Sequence, residues 1–120
     1  MNEIFYLLIL LQIKHWYIDF VNQSDEEVKY KAVYGNFIGM GHSFKHGLGT
    51  MLCLLIIAGY PYIIYAAILG LIDFAIHYHV DWAKMNWGSR DIQNKKFWAH
   101  LGLDQMMHQF TYILMAFLMT

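Results

Sequence analysis

Asp73-Phe-Ala-Ile-His77-Tyr-His-Val-Asp81 is the stretch of sequence that decides the fold of this chain. Its Asp73, His77 and Asp81 are four residues apart, so in a helix their side chains share one face, about one turn above each other. Three other segments carry the same residue types at the same spacing: His15 with Asp19, His42 with His46, and His100 with Asp104 and His108. Because four separate segments each carry such a face, we predict an all-α fold in which four helices turn these faces toward one another.

The composition indicates a single integral membrane domain, residues 1–120. The chain is 58% hydrophobic but only 14% charged, whereas soluble domains contain roughly 25% charged residues. The net charge of -1 excludes nucleic acid as a partner, because no basic field is present to neutralise phosphates. The expected partners are membrane lipid and, as an open choice, a second copy of the chain or another membrane protein. Cys53, the one cysteine, is predicted to be a small buried hydrophobe.

Apolar runs and the breaks between them predict a four-helix transmembrane bundle. Its helices span residues 4–22, 41–58, 61–86 and 94–119. The first run contains Lys14, His15 and Asp19, and no small-residue cleavage site follows it, so we interpret it as a retained membrane helix and not as a signal peptide. In the polar loop that follows we predict one short helix, N-capped by Ser24 with Glu27 at the capping-box position. We interpret the acidic run of that helix as a solvated face.

The segment 59–61, Gly-Tyr-Pro, interrupts the uncharged stretch 47–72 and predicts a hairpin between the second and third helices. The alternative is one continuous helix kinked at Pro61. Such a helix rises about 1.5 Å per residue and would carry His46 roughly 40 Å from Asp73. That arrangement would leave two isolated buried polar clusters, whereas a hairpin brings both residues to the same depth. We therefore predict the hairpin.

Lysine and arginine concentrate on one side of the predicted bundle. The two longer loops and their flanks contain Lys29, Lys31, Lys84, Arg90, Lys95 and Lys96, whereas the hairpin and both termini contain no Lys or Arg. The positive-inside rule makes the longer loops cytoplasmic and places both termini on the opposite side. Each set of His and Asp residues falls in the cytoplasmic half of its helix. The charge asymmetry and the ligand spacing are independent features, and they agree on where the site lies.

The polar faces together contain ten candidate metal ligands: His15, Asp19, His42, His46, Asp73, His77, Asp81, His100, Asp104 and His108. Each ionisable group inside a membrane span costs about 2.5–3.5 kcal/mol, and metal coordination offsets that cost. Imidazole and carboxylate ligands without cysteine suit a divalent transition metal, with zinc preferred over iron or manganese. One ion takes about four to six ligands, so we expect two ions, or one ion whose ligands are oriented by the remaining groups.

Some of these ten residues are stronger candidates than others. The expected core ligands are the histidines at 42, 46, 77, 100 and 108, with Asp73, Asp81 and Asp104 as ligands or bridges. Asp19 lies closer to the end of its helix than His15, so we expect it to be the poorer direct ligand of the two.

These features predict a metal-dependent hydrolase that acts at the cytoplasmic membrane surface on a phosphoester or another lipid-linked bond. A metal bound by His and carboxylate groups activates water at neutral pH, and Asp81 or Asp104 is the expected general base. Lys84, with Lys45 or Arg90 nearby, is expected to hold the anionic part of the substrate. No nucleophilic serine or cysteine motif competes with this chemistry.

Three other functions stay open at this point. The first is a proton or metal-ion conduit, which needs polar groups through the full depth of a membrane. Residues 52–59 and 62–69 contain no charged residue, which counts against a complete path. The second is a non-catalytic membrane partner protein of phage or bacterial origin. The third is a hydrogen-bonded His and Asp network that only holds the helices together.

The chain resembles an uncharacterised family of small bacterial and phage integral membrane proteins. The resemblance is carried in order by His15-Trp-Tyr-Ile-Asp19-Phe20 with Gln23, by His42 and His46, by His77 to Asp81 with Lys84, and by Asp104-Gln105-Met-Met-His108. It spans nearly the whole chain and implies a multi-pass protein of the bacterial inner membrane, which makes the side that holds the termini periplasmic. A distant similarity to membrane-bound metal-dependent hydrolases is consistent with the chemistry predicted above.

Overall fold

The computed structural model describes residues 2–120. Within this range the chain forms five α-helices and no strand: α1 (Asn2–Trp16), α2 (Asp25–Tyr30), α3 (Phe37–Ala58), α4 (Ile63–Trp87) and α5 (Lys95–Leu118). A π-helical turn, Tyr17–Val21, extends α1, and a 3-10 turn, Tyr60–Tyr62, precedes α4. The all-α prediction is confirmed. The four long helices correspond to the four predicted ones, and the short predicted helix is α2.

Side-chain caps explain where two of the helices begin. Ser24 caps α2 by accepting the Glu27 N–H at 3.1 Å, as predicted. The Asn36 side chain accepts the N–H groups of Ile38 and Gly39, so α3 begins at Phe37, four residues before the predicted start at residue 41. An asparagine at this position satisfies backbone donors that otherwise have no partner.

The predicted first helix, 4–22, is helical from Asn2 to Val21 but changes from α to π geometry in its last turn. Regular α-helix ends at Trp16, and the π-helical turn that follows closes with the Asn22 N–H donating to the Tyr17 carbonyl at 2.7 Å. A π-helical turn holds one more residue than an α-turn and is frequent at functional sites. Here it contains Asp19, which is buried.

The predicted hairpin between the second and third helices is confirmed. Gly59 has φ of +89°, a conformation open to glycine and strained for other residues, and Pro61 lies in the 3-10 turn after it. Farther along the hairpin the two backbones touch, because a Cβ added at Gly47 would lie 2.6 Å from the Gly70 carbonyl oxygen. The pair α3 and α4 is therefore the most closely packed part of the fold.

The four long helices form a closed bundle with two internal layers. α3 packs on α1 and α4, and α5 packs on α4 and α1. Toward the hairpin and the C-terminus the interior is apolar, with Leu7, Leu11, Leu54, Leu69 and Met115 fully or almost fully buried. Toward the two longer loops the buried side chains are His, Asp and Lys. The polar faces predicted from the spacing therefore meet in one half of the bundle.

Two helical segments are long and apolar enough to cross a membrane, Asn2–Val21 and Tyr60–Trp87. α3 and α5 do not meet that measure, because His, Lys and Gln side chains lower their mean hydropathy. The outer surface of all four long helices is nonetheless apolar, with Ile9, Ile56, Ile64 and Phe117 each more than half exposed. A four-span topology stays a prediction.

Candidate metal centre

The centre is built where one end of each long helix meets the others. It is formed by the π-helical turn after α1, the first turns of α3, the last half of α4 and the middle of α5. Two sets of buried residues have ligand atoms that all lie within 4.8 Å of one another: Asp19, His42, His46 and His77 in the first set, and His77, Asp81 and His108 in the second. His77 belongs to both sets. Either set can hold a metal ion.

Asp19 is the centre of the first set. Its Oδ1 atom lies 2.7 Å from Nε2 of His46, 3.0 Å from Nε2 of His42 and 3.7 Å from Nε2 of His77. In a tetrahedral zinc site with bonds near 2.0–2.1 Å, neighbouring ligand atoms lie about 3.3 Å apart. The three distances from Asp19 lie on either side of this value, and all four ligand atoms are within 4.8 Å of one another, which is compatible with a single ion. Asp19, expected to be a poorer ligand than His15, is the residue around which the others converge.

The second set extends from His77 toward α5. Asp81 contacts His77 through Oδ2 at 3.2 Å and His108 through Oδ1 at 3.2 Å. His108 also lies 3.1 Å from Asp104 Oδ1. The His77 ring stacks between His46 and His108, with centroid distances of 3.6 and 3.9 Å. The two sets therefore form one continuous cluster.

His42 lies between two carboxylates, and this tests whether a metal fits. Its Nε2 faces Asp19 at 3.0 Å and its Nδ1 faces Glu27 Oε2 at 3.3 Å. A neutral imidazole has one N–H and can donate to only one of them. An ion bound at Nε2 leaves the N–H on Nδ1, where Glu27 accepts it, which is the usual carboxylate–histidine–metal arrangement.

His77 gives a second indication of a missing partner. Neither of its ring nitrogens has a hydrogen-bond partner among the described residues, although the side chain is fully buried. A buried polar atom without a partner is costly. Because Nε2 of His77 is the atom shared by both sets, an ion at the centre would give this nitrogen a partner.

Of the four aspartates on the polar faces, three pair with a lysine and one does not. Lys14 pairs with Asp73 at 3.2 Å, Lys31 with Asp81 at 3.2 Å, and Lys84 with Asp104 at 3.1 Å. Asp19 has only histidine partners among the described residues. The charge of three aspartates is therefore already offset, and a divalent cation is most favourable at the fourth, Asp19.

A model of one protein family covers almost all of this structure. The family is described as "Protein of unknown function (DUF3307)", and its model matches residues 7–120. The chain belongs to the DUF3307 family. The expected resemblance to an uncharacterised family is thereby confirmed. A search of curated proteins and a search of solved structures each found no match.

Four predicted ligands of this DUF3307 protein lie outside both sets: His15, Asp73, His100 and Asp104. Asp73 is one turn before His77 and is held by the Lys14 ammonium and the Thr50 hydroxyl. His100 is eight residues before His108, about 12 Å along the helix, and its Nδ1 accepts the Ser89 N–H at 2.8 Å. Because i, i+4 spacing fixes the face of a residue but not its depth in the bundle, Asp73 and His100 share the predicted faces without joining either set.

His15 is near the centre, but both of its ring nitrogens already contact other side chains. Its Nδ1 lies 2.8 Å from the Tyr112 hydroxyl and its Nε2 lies 2.6 Å from Gln105 Oε1. Its Nε2 is also 3.3 Å from Asp19 Oδ2. His15 therefore buttresses Asp19 and lies outside both ligand sets.

Lys14 is a buried contact of the centre that its sequence position did not reveal. Its Nζ lies 3.2 Å from His46 Nδ1 and 3.0 Å from the Tyr112 hydroxyl. For His46 to bind an ion through Nε2, its single proton must occupy Nδ1, which faces Lys14. Asp73 and Tyr112 remain as partners for the ammonium group in that state.

The short helix α2 supplies two further residues that sequence reasoning missed in the DUF3307 chain. Glu27 reaches His42, and its Oε1 accepts a hydrogen bond from Lys45 at 2.6 Å. Burial raises the pKa of the Glu27 carboxyl, but the hydrogen bond and charge of Lys45 outweigh it and hold that pKa below its ordinary value. Lys31 pairs with Asp81. Glu27 and Lys31 are four residues apart, so the same spacing rule places them on one face of the segment. The acidic run was interpreted as a solvated face, which is true of the exposed Asp25 and Glu26 and not of Glu27.

Each residue predicted to hold an anion already has a partner of its own. The Lys45 ammonium group donates to the Glu27 carboxylate, and the Arg90 guanidinium donates to the Met85 carbonyl at 2.7 Å. Lys84 pairs with Asp104, and both border a groove of about 400 Å³ between α4 and α5. Of the predicted catalytic residues, Lys84 and Asp104 line this groove and Asp81 does not, although both aspartates are buried.

Proposed function

We propose that this protein is a membrane-embedded metalloenzyme that hydrolyses a phosphoester or another lipid-linked bond at the cytoplasmic membrane surface. The observation that carries the proposal is Asp19, a buried carboxylate that has no lysine or arginine partner within residues 2–120 and that faces Nε2 of His42 and His46. Three imidazoles and a carboxylate suit zinc, and they also suit iron or manganese. The pairing of Asp81 with Lys31 favours one ion over two.

The distribution of side chains supports a bilayer around the bundle. Ionisable groups concentrate inside one half of the fold, and large apolar side chains cover the outside of every long helix. This is the reverse of a soluble protein and is what lipid requires. The longest dimension is 45 Å, close to the thickness of a bilayer with its headgroups, about 40–45 Å. We propose four spans, with both termini periplasmic and the longer loops cytoplasmic.

The proposed reaction needs a group that activates water, a general base and a cation that neutralises the substrate. A bound metal supplies a Lewis acid that activates water at neutral pH. Asp104 is the carboxylate that both contacts His108 and borders the groove, so it accepts the proton of the attacking water. Lys84, 3.1 Å from Asp104, offsets negative charge on the substrate and its leaving group.

A proton or metal-ion conduit is the rival function that a specific observation favours. The Lys14–Asp73 pair and Thr50 carry the polar network one turn deeper than the two ligand sets. Beyond them the interior is closed by apolar side chains, Leu7, Leu11, Leu54, Leu69 and Met115. A complete path across the bundle would have to pass this layer, so hydrolysis is the better-supported function.

The first experiment measures metal in detergent-purified protein from replete medium without chelator. We expect about one zinc, iron or manganese ion per chain, as a closed set of three imidazoles and a carboxylate predicts. A content below about 0.2 ions per chain is incompatible with the tight binding expected of such a site. In that case the His and Asp cluster is a structural network or a proton path.

The second experiment tests the reaction. The metal-loaded protein is incubated with a panel of lipid and isoprenoid phosphates, with and without chelator, next to Asp104→Asn. We expect chelator-sensitive hydrolysis of at least one substrate and a loss of about 10²–10⁴-fold in the variant. If wild type and Asp104→Asn are equally inactive on every substrate while the metal stays bound, hydrolysis is not the function.

A further inference from the structure

His100 and Lys84 stand at the junction of two cavities. The first is the groove of about 400 Å³ between α4 and α5, and the second is a chamber of about 520 Å³ beneath α2 and the loop that joins α4 to α5. Both residues line both cavities. The two spaces are therefore adjacent, and an elongated molecule that passes these two side chains would extend from one into the other.

The two cavities differ in chemistry. The groove is walled by Val80, Ala83, Trp87, Leu103 and Met107, apart from the His100, Lys84 and Asp104 at its inner end. Trp87, Leu103 and Met107 are also exposed on the outer, apolar surface. A hydrocarbon chain in this groove would continue directly into lipid.

The chamber is lined by apolar side chains together with three cationic ones. Its lining includes Lys29, Lys84 and Arg90, against one carboxylate, Asp25. Asp104, at the junction, offsets part of the Lys84 charge. The balance favours an anionic group, and the position of the chamber at the cytoplasmic loops is where a lipid headgroup lies.

The hydrogen bond of His100 determines what this residue offers to a ligand. The backbone N–H of Ser89 is always a donor, and it donates to Nδ1 of His100 at 2.8 Å. The proton of the neutral imidazole must then be on Nε2. His100 therefore presents an N–H donor where the apolar groove meets the cationic chamber, a suitable contact for a phosphate oxygen.

We propose that the adjacent cavities bind a lipid phosphate, with its phosphate held by His100 and Lys84 in the chamber and its hydrocarbon chain in the groove between α4 and α5. This names the substrate class of the proposed hydrolase. It rests on the proposed function only for the cleavage step, since the binding geometry is independent of the ion.

The test is equilibrium binding to the full chain in detergent. The probe is a short-chain phosphatidic acid analogue with a phosphonate in place of the phosphoester, so that it cannot be hydrolysed, and with bromine on its chains to quench tryptophan fluorescence. Saturable quenching is expected, and most of it should be lost in Trp87→Phe. Phosphatidylcholine of the same chain length is expected to bind at least ten-fold more weakly, because it lacks an exposed phosphate dianion.

His100 variants report on the phosphate contact. We expect His100→Ala to raise the Kd about ten-fold and His100→Gln, which retains a side-chain N–H donor, to restore part of the affinity. The matched control is His79→Ala, since His79 is an exposed histidine of α4 that bonds Tyr34 at 3.0 Å, away from both cavities. Metal content and elution volume of each variant show whether it is folded.

Each result separates this proposal from the proposed function. The lipid site is contradicted if His100→Ala binds as tightly as wild type, if phosphatidylcholine binds as tightly as the phosphonate, or if inorganic phosphate alone competes at equal affinity. Tight phosphonate binding without hydrolysis of the matching ester supports the site and contradicts the hydrolase. Hydrolysis of other substrates without phosphonate binding supports the hydrolase and contradicts the lipid site.

Discussion

At the scale of single residues, neighbours decide what a given side chain does. Asp19, Asp73, Asp81 and Asp104 are equivalent by residue type and helical spacing. In the fold three of them are neutralised by lysines, at distances of 3.1–3.2 Å, and Asp19 is ringed by histidines. The same contrast separates His42, which has carboxylates on both nitrogens, from His100, which bonds a loop amide.

The contrast between the aspartates predicts the result of Asp19→Asn. The variant keeps the shape of the side chain but removes the one negative charge of the first ligand set that no lysine offsets. We expect metal content to fall from about one ion per chain to less than about 0.1, because the remaining ligands are neutral. Elemental analysis of purified protein measures this, with Asp91→Asn in the exposed loop as the matched control. Full metal occupancy in Asp19→Asn would place the ion elsewhere.

Glu27 is predicted to act through His42. Removing its charge in Glu27→Gln weakens the partner that holds the His42 proton on Nδ1, and such partners typically contribute 10–100-fold in metal affinity. We expect a loss of about that size in competition titrations with a chromogenic chelator. Glu26→Gln is the control, since Glu26 is the exposed neighbour on the same helix. Equal affinities in the two variants would show that α2 has no part in the centre.

At the scale of elements, the crossing of α3 and α4 sets the geometry of the centre. Gly47 and Gly70 allow the two backbones to touch, as small residues do between helices in lipid. His46 precedes Gly47, and His77 is two turns after Gly70. Their stacked rings, 3.6 Å apart, depend on this close approach.

The crossing predicts that Gly70→Ala is destabilising. The added Cβ would lie 2.7 Å from the Gly47 carbonyl oxygen, and relief of that clash must push the helices apart at a cost of about 1–3 kcal/mol. We expect a lower thermal unfolding midpoint together with weaker metal binding. The matched control is Gly102→Ala on the exposed side of α5, where an added Cβ meets nothing within 4 Å. There we expect a gain of about 0.5–1 kcal/mol from helix propensity, and a comparable loss at both positions would contradict the packing argument.

At the scale of the whole molecule, the fold separates an apolar half from a polar half along its 45 Å length. The longer loops, with most of the Lys and Arg residues, are at the polar end. The hairpin at Tyr60–Tyr62 and the C-terminus of α5 are at the other end. A bilayer around this bundle would have the candidate centre near its cytoplasmic surface.

This arrangement predicts the sidedness of labelling. Single cysteines replacing Ser89 and Thr120, in a Cys53→Ala background, should react with an impermeant maleimide from opposite sides of the membrane. Tyr60→Cys in the hairpin, where the side chain is 77% exposed, should label from the same side as Thr120→Cys. Labelling of Ser89→Cys and Thr120→Cys from one side would exclude a four-span topology.

Local sequence rules by themselves determined the helical architecture and the kind of chemistry. Apolar periodicity predicted the four long helices, the Gly-Tyr-Pro segment predicted the hairpin, and Ser24 predicted the cap of α2. These features depend on neighbours within a few residues, where backbone geometry is the same in any protein. The i, i+4 spacing also predicted that His and Asp side chains from four segments would meet.

Only the tertiary structure decided which of those side chains form the centre. Asp73 and His100 share the correct spacing but lie at other depths, whereas Asp19, in the π-helical turn, lies among three histidines. Lys31 and Glu27 join from a short helix that looked solvent-facing. The physical reason is that helical periodicity fixes a residue's direction on its own helix, while its depth, its partners and the charge it meets depend on how the helices pack.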